Sequence, residues 1–258
     1  MRRVGPRWEA TRAPTKAAIR RGKASSSPLT FYLKTGVTDD IFLDMPTFVG
    51  HSLVALSVCA PLHRTPLGKV MSFPDWLALL VIASLLPDLD VLMLRWFPYS
   101  HPLSHRGLAH SLPFALVAAF CITMSCNLAG ILPGTLFTFI LVWLLVASVM
   151  GSHGLLDALT DGGLGIGLFI PLTLRRYFFP ITPIPVALLE PATMFSPYMW
   201  HVYAVEVALF TPFCLAAWLS GADLSGMPIF SAFRWLAATA LVIGGVAIWI
   251  ARCRSVRE

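Results

Sequence analysis

Seven residues carry most of the chemistry that this sequence offers: His51, Asp88, Asp90, His105, His110, His153 and Asp157. Imidazoles bind borderline divalent cations and carboxylates favour harder ones, so a mixed set suits an ion such as zinc or manganese. His153 and Asp157 stand four residues apart, which on one helix puts both on the same side about one turn apart. Taken alone, that pair is better read as a histidine stacked over an aspartate to satisfy both groups. Asp88 and Asp90 follow Pro87, where a proline frees backbone groups and a helix breaks. A polar helix end explains one carboxylate there better than two. The run SHRGLAHS, residues 104–111, supplies His105, Arg106 and His110, with Gly107 allowing a turn. Two imidazoles and an arginine entering an apolar helix form the most specific local signal. Two ions in such a cluster would clamp the attacking and leaving oxygens of a phosphoester displacement.

The composition dictates what kind of element positions these groups. Of 258 residues, 57% are hydrophobic and only 12% charged, whereas ordinary soluble domains carry about 25% charged residues. Water is not this chain's main solvent. A hydrocarbon core of about 30 Å takes about 20 apolar residues per helical span. About six spans are expected: Pro46 to Leu62, Trp76 to Trp96, His110 to Leu128, Thr135 to Asp157, Met199 to Leu219 and Phe233 to Ile250. The first is short and the second is interrupted by Pro87. The expected fold is all-α, a multi-pass helical membrane protein.

An ionisable group at the centre of a membrane helix costs about 2.5 to 3.5 kcal/mol. Six or seven of them facing lipid is untenable, so they are expected to converge on one protein-lined, water-accessible cavity. Basic residues in short loops favour the cytoplasmic side. Placing both termini inside puts seven there (Arg95, Arg106, Arg175, Arg176, Arg252, Arg254 and Arg257) and leaves three outside, Arg64, Lys69 and Arg234. All seven candidate ligands then fall near the cytoplasmic face.

The formal charge of +6 describes mainly the first 44 residues, where nine Lys or Arg face four acids. That stretch has no apolar core of a secretory signal. It reads as a disordered, basic, cytoplasmic extension, or as sequence upstream of a true start at Met45. Nucleic acid is not an expected partner. The five cysteines sit in or beside apolar spans without metal-binding spacing and read as small hydrophobes. The glycine-rich run DGGLGIGLF, 161–169, lacks the strand and lysine of a phosphate-binding loop and reads as a bent or re-entrant segment. Arg175 and Arg176 suit a substrate phosphate or, equally, anchoring on anionic lipid. Glu206 is open to a role as a base or as a partner to a ligand, though such a residue is more often a satisfied packing group.

Four motifs in order, His51 within MPTFVGHSLVAL, PDLD at 87–90, HRGLAHS at 105–111 and HGLLDALTDGG at 153–163, resemble the membrane-bound metal-dependent hydrolases of the YdjM type, inner-membrane proteins. The likeness runs from about Met45 to about Pro185. It implies that His51, Asp88, Asp90, His105, His110, His153 and Asp157 are the metal ligands. Thr160 and Gly163 fit the pattern after the His and Asp pair, and Arg175 and Arg176 resemble its basic residues after a proline.

The expected organisation is therefore an extension over 1–44 and a membrane domain over 45–258. Within it, 45–185 carry the metal site and 199–251 two further spans. The expected activity is hydrolysis of an ester, a phosphoester by preference, with a lipid or lipid-linked headgroup as the natural substrate at the bilayer edge. Water activated by the ion would be the nucleophile. Asp90 or Asp157 would be the base if not a ligand, and Arg106 or Arg175 would hold the anionic group. A metal- or proton-coupled transporter and a non-catalytic, metal-stabilised membrane protein stand as alternatives.

Overall fold

Four of the helices begin at a serine or threonine whose side chain takes up an otherwise unpaired amide, the arrangement that an N-cap supplies. The structure, a computed structural model, describes residues 2–4, 44–45, 47–188, 193–221 and 228–255. Thr47 caps α1 (Phe48–Leu62), Ser72 caps α2 (Phe73–Leu85), Ser111 caps α3 (Leu112–Leu128) and Thr135 caps α4 (Leu136–Asp157). Two longer helices follow, α5 (Pro197–Gly221) and α6 (Pro228–Ser255). The chain is all-α in its core, as expected. Of the extension over 1–44, all but Arg2–Val4 and Asp44 lie outside the described residues.

Three stretches are long and apolar enough to cross a membrane: Phe73–Arg95, Leu136–Asp157 and Pro197–Ser220. Phe48–Leu62, Leu112–Leu128 and Ala237–Ala251 are apolar but shorter. The second expected span is not one continuous α-helix. At Leu86 it tightens into a 3₁₀ helix that runs to Arg95, with Pro87 at its first turn, where the missing N–H costs nothing. Three residues per turn then place Pro87 and Asp90 on the buried side, while Leu89 and Leu92 stay exposed.

The first four helices pack through small and branched side chains. Ala55 and Cys59 of α1, Ala83 of α2, Ala115 and Ala119 of α3 and Val142, Val146 and Met150 of α4 share one buried cluster. Small residues at such contacts let helix backbones approach closely, which matters where lipid offers no hydrophobic drive. A second cluster joins α5 to α1 through Leu209 and Phe210 against Leu53 and Val54, with Leu156 and Leu159 behind them. Trp249 of α6 donates from Nε1 to the Leu209 carbonyl at 3.1 Å.

Between α4 and α5 the described residues 158–188 are irregular but tied down. Four short strands, β1 (Arg2–Val4), β2 (Asp44–Met45), β3 (Arg176–Phe178) and β4 (Ala187–Leu188), form two antiparallel pairs, β1 with β3 and β2 with β4. The glycine-rich run lies against the α3 entry. Gly167 N–H donates to the Arg106 carbonyl and Leu112 N–H to the Leu168 carbonyl, each at 2.9 Å.

Candidate metal centre

Most of the candidate ligands lie at or beside helix ends, and these ends meet. His51 is in the first turn of α1, Asp88 and Asp90 lie on the 3₁₀ segment, His105 and His110 precede α3, and His153 and Asp157 close α4. The i, i+4 spacing holds: His153 and Asp157 are both fully buried on one side of α4. Gly154 makes the meeting possible, since a Cβ there would stand 2.2 Å from the His110 carbonyl oxygen. Only glycine lets the α3 entry lie that close against α4.

Four ligand atoms converge. The Nε2 atoms of His110 and His153 are 3.1 Å apart, and His153 Nε2 is 3.1 Å from Asp88 Oδ1. His110 Nε2 is 3.1 Å from Asp157 Oδ2 and 3.5 Å from Asp88 Oδ1. One ligand atom from each of the four residues lies within 4.8 Å of every other. The opposite ring nitrogens are spoken for. His153 Nδ1 lies 2.6 Å from the Ser84 carbonyl, which can only accept, so that nitrogen carries the proton. His110 Nδ1 meets Asp90 Oδ2 at 2.9 Å. In the neutral rings both Nε2 lone pairs therefore face each other and two carboxylates. That is a gathering of acceptors with no donor between them, and both Asp157 oxygens are buried without a hydrogen bond. Buried unpaired acceptors are costly, and a divalent cation among these four atoms fits the donor set.

Asp90 is placed differently from its neighbour. Its two oxygens meet His105 Nδ1 at 2.7 Å and His110 Nδ1 at 2.9 Å, so it orients His110 from behind, as carboxylates do for ligating imidazoles. Asp90, His105 and His110 also form a second group close enough to share an ion. Burial holds the His105 imidazole below its ordinary pKa, which favours the neutral ring.

His51 stacks on His153, with ring centroids 3.7 Å apart, and its Nε2 lies 3.4 Å from Asp157 Oδ1. Asp157 thus shows one oxygen to His51 and the other to His110. Arg106, fully buried and at φ 62°, donates through one terminal nitrogen to the Gly162 carbonyl at 2.7 Å and through the other to Thr160 Oγ1 at 3.0 Å. Its Nε has no acceptor and lies 3.9 Å from Asp157 Oδ2.

The two later arginines separate. Arg175 is exposed. Arg176 turns inward and its terminal nitrogens donate to the carbonyls of Tyr99, His101, His105, Arg106 and Gly165 at 3.2–3.5 Å. Burial pulls its guanidinium below the ordinary arginine pKa. Nothing in the spacing of the sequence announces this clasp. Glu206 is fully buried, on α5, and accepts from Thr47 and Gly50 at the start of α1.

Fold and site together define a class: a multi-pass, all-helical membrane protein with a buried His and Asp cluster where helix ends meet. The chain matches the YdjM inner membrane protein family over residues 45–249 and belongs to it. It is 33% identical over 187 residues to the inner membrane protein YbcI of Escherichia coli (strain K12), an alignment that covers 71% of this chain and 96% of that protein. No solved structure matches.

Proposed function

We propose that this protein is a divalent-metal-dependent hydrolase of the inner membrane that cleaves an ester, with a phosphoester on a lipid or lipid-linked headgroup as the preferred class. The observation that carries the reading is the convergence of Asp88 Oδ1, His110 Nε2, His153 Nε2 and Asp157 Oδ2, acceptors that face one another with the outer nitrogens of both rings already bonded. Two imidazoles and two carboxylates suit zinc or manganese. A bound ion of this kind polarises a phosphoryl or carbonyl oxygen and makes water a nucleophile near neutral pH.

The chain's own groups supply the rest. Asp88, 18% exposed in its side chain while the other three ligands are buried, marks the side from which substrate approaches. Arg106 aims an unpaired Nε at the cluster, where it suits the charge on a phosphoryl oxygen. Asp90 holds His110, and Asp157 is the base if an ion leaves one of its oxygens unused. Arg175 is free to meet an anionic headgroup or lipid at the surface. The excess of basic residues near this end of the helices supports a cytoplasmic site with both termini inside.

Metal content by inductively coupled plasma mass spectrometry on detergent-purified protein tests the reading. Wild type should carry stoichiometric zinc or manganese, and both His110→Ala and His153→Ala/Asp157→Ala should lose it. Metal-loaded wild type should then hydrolyse members of a phosphoester and phospholipid panel. No metal in any sample would overturn the reading in favour of a proton-coupled transporter. Metal without turnover would leave an ion that ties the helices together.

A further inference from the structure

Thr47 begins α1 as a threonine N-cap should, its Oγ1 accepting from Val49 N–H at 3.1 Å. In a capping box, a Glu or Gln three residues on returns the favour by accepting from the backbone N–H of the cap. Here that position is Gly50, which has no side chain to give. The missing carboxylate arrives from another helix. Glu206 of α5 accepts from Thr47 N–H through Oε1 at 2.7 Å, and through Oε2 from the Thr47 hydroxyl and from Gly50 N–H, the latter at 2.9 Å. Gly50 is what admits it, since a Cβ there would lie 3.0 Å from Glu206 Oε2.

From this we infer that Glu206 is a positioning residue for the metal centre, acting through the first turn of α1 on His51. The next residue after Gly50 is His51, whose ring stacks on His153 and faces Asp157. A buried carboxylate fixed by three donors on one helix start sets where that start lies relative to α5. Leu209 and Phe210, close behind Glu206 on the same helix, pack against Leu53 and Val54 of α1 and lock the distance. The fifth helix thus bears on the site without placing, among the described residues, a side chain in the cluster. The inference rests on the metal-centre reading given above.

A double-mutant cycle on detergent-purified full-length protein separates positioning from mere support of the fold. Zinc affinity is measured by competition with a chromogenic chelator for wild type, Glu206→Gln, His51→Ala and the double variant, together with amide hydrogen exchange over residues 48–51. Glu206→Gln should weaken zinc binding about 10-fold, the lower end of the usual loss for a partner behind a ligand. It should speed exchange in the first turn of α1, and add nothing further in the His51→Ala background. An equal loss in both backgrounds, or unchanged affinity, would overturn the positioning role while leaving the metal centre standing. A wild type that binds no zinc would overturn both. Thr47→Val, which removes the hydroxyl that donates to Glu206 together with its cap on Val49 N–H, reads the same first-turn coupling in the wild-type and His51→Ala backgrounds if Glu206→Gln does not accumulate as folded protein.

Discussion

Asp90 lies 2.9 Å from His110 Nδ1, the ring nitrogen opposite the one that meets Asp157 at 3.1 Å. The carboxylate therefore sets the tautomer and direction of His110 without standing among the four converging atoms. The two acids of one short motif are placed differently: Asp88 faces the cluster and Asp90 steadies it from behind.

That division predicts unequal costs. Asp90→Asn should weaken zinc binding by about 10- to 100-fold, the usual loss for a partner of a ligating imidazole, with stoichiometric metal restored at high zinc. Asp157→Ala should leave no stoichiometric metal at any accessible concentration. Equilibrium competition with a chelator distinguishes the two.

At Gly154, an added methyl would collide with the His110 carbonyl oxygen at 2.2 Å. Gly154→Ala should destabilise the protein by about 1–3 kcal/mol, the range for overpacking a tight contact, and lower metal content by moving His110. Gly134→Ala, where an added Cβ meets nothing within 4 Å, is the matched control and should change neither. Thermal unfolding in detergent alongside metal analysis reads both quantities.

The paired arginines should behave as opposites. Arg176→Ala removes a guanidinium shared among five carbonyls and should cost about 2–3 kcal/mol, in the range for hydrogen bonds to a charged donor. Arg176→Lys should rescue little, because a point charge cannot span the same fork of acceptors. Arg175→Ala should leave stability unchanged. Denaturation midpoints for the three variants are the check.

Arg106 bears on the hydrolase reading itself. Arg106→Gln should keep metal content near that of wild type while lowering phosphoester turnover by about 10²- to 10³-fold, the usual cost of losing one donor to transition-state charge. Metal analysis and turnover on the same preparation are compared. Unchanged turnover would show that Arg106 serves only to tie Thr160 and Gly162 to the α3 entry.

Much of this was legible from residue types alone. Low charge and long apolar runs announced a helical membrane domain. The cost of burying His and Asp in lipid required His51, Asp88, Asp90, His105, His110, His153 and Asp157 to come together, and they do, Asp90 and His105 joining the rest through His110. What stayed hidden depended on geometry that spacing does not encode. PDLD marked a helix break, but the switch to 3₁₀ winding, and with it the separate roles of Asp88 and Asp90, follows from how that segment packs. Glu206 was visible only as an acid in an apolar helix. Its partners lie in Thr47 and Gly50, far off along the chain, and the one hint was a threonine cap lacking its usual acid. Arg176 read with Arg175 as a holder of substrate phosphate or an anchor on anionic lipid, and only the fold brings the carbonyls of Tyr99, His101, His105, Arg106 and Gly165 around it.

The Thr47–Glu206 contact also bears on how the protein is made. The two residues are 159 positions apart, and at about 5–20 residues per second that interval takes about 8 to 30 s of synthesis. Until the fifth helix has left the ribosome and entered the bilayer, the first has no carboxylate to fix its leading turn. On the positioning role proposed for Glu206, the first turn of α1, and His51 with it, takes its final place only after α5 is made. A chain cut short before Glu206 would keep Asp88, His110, His153 and Asp157 but lack the contact that fixes the start of α1.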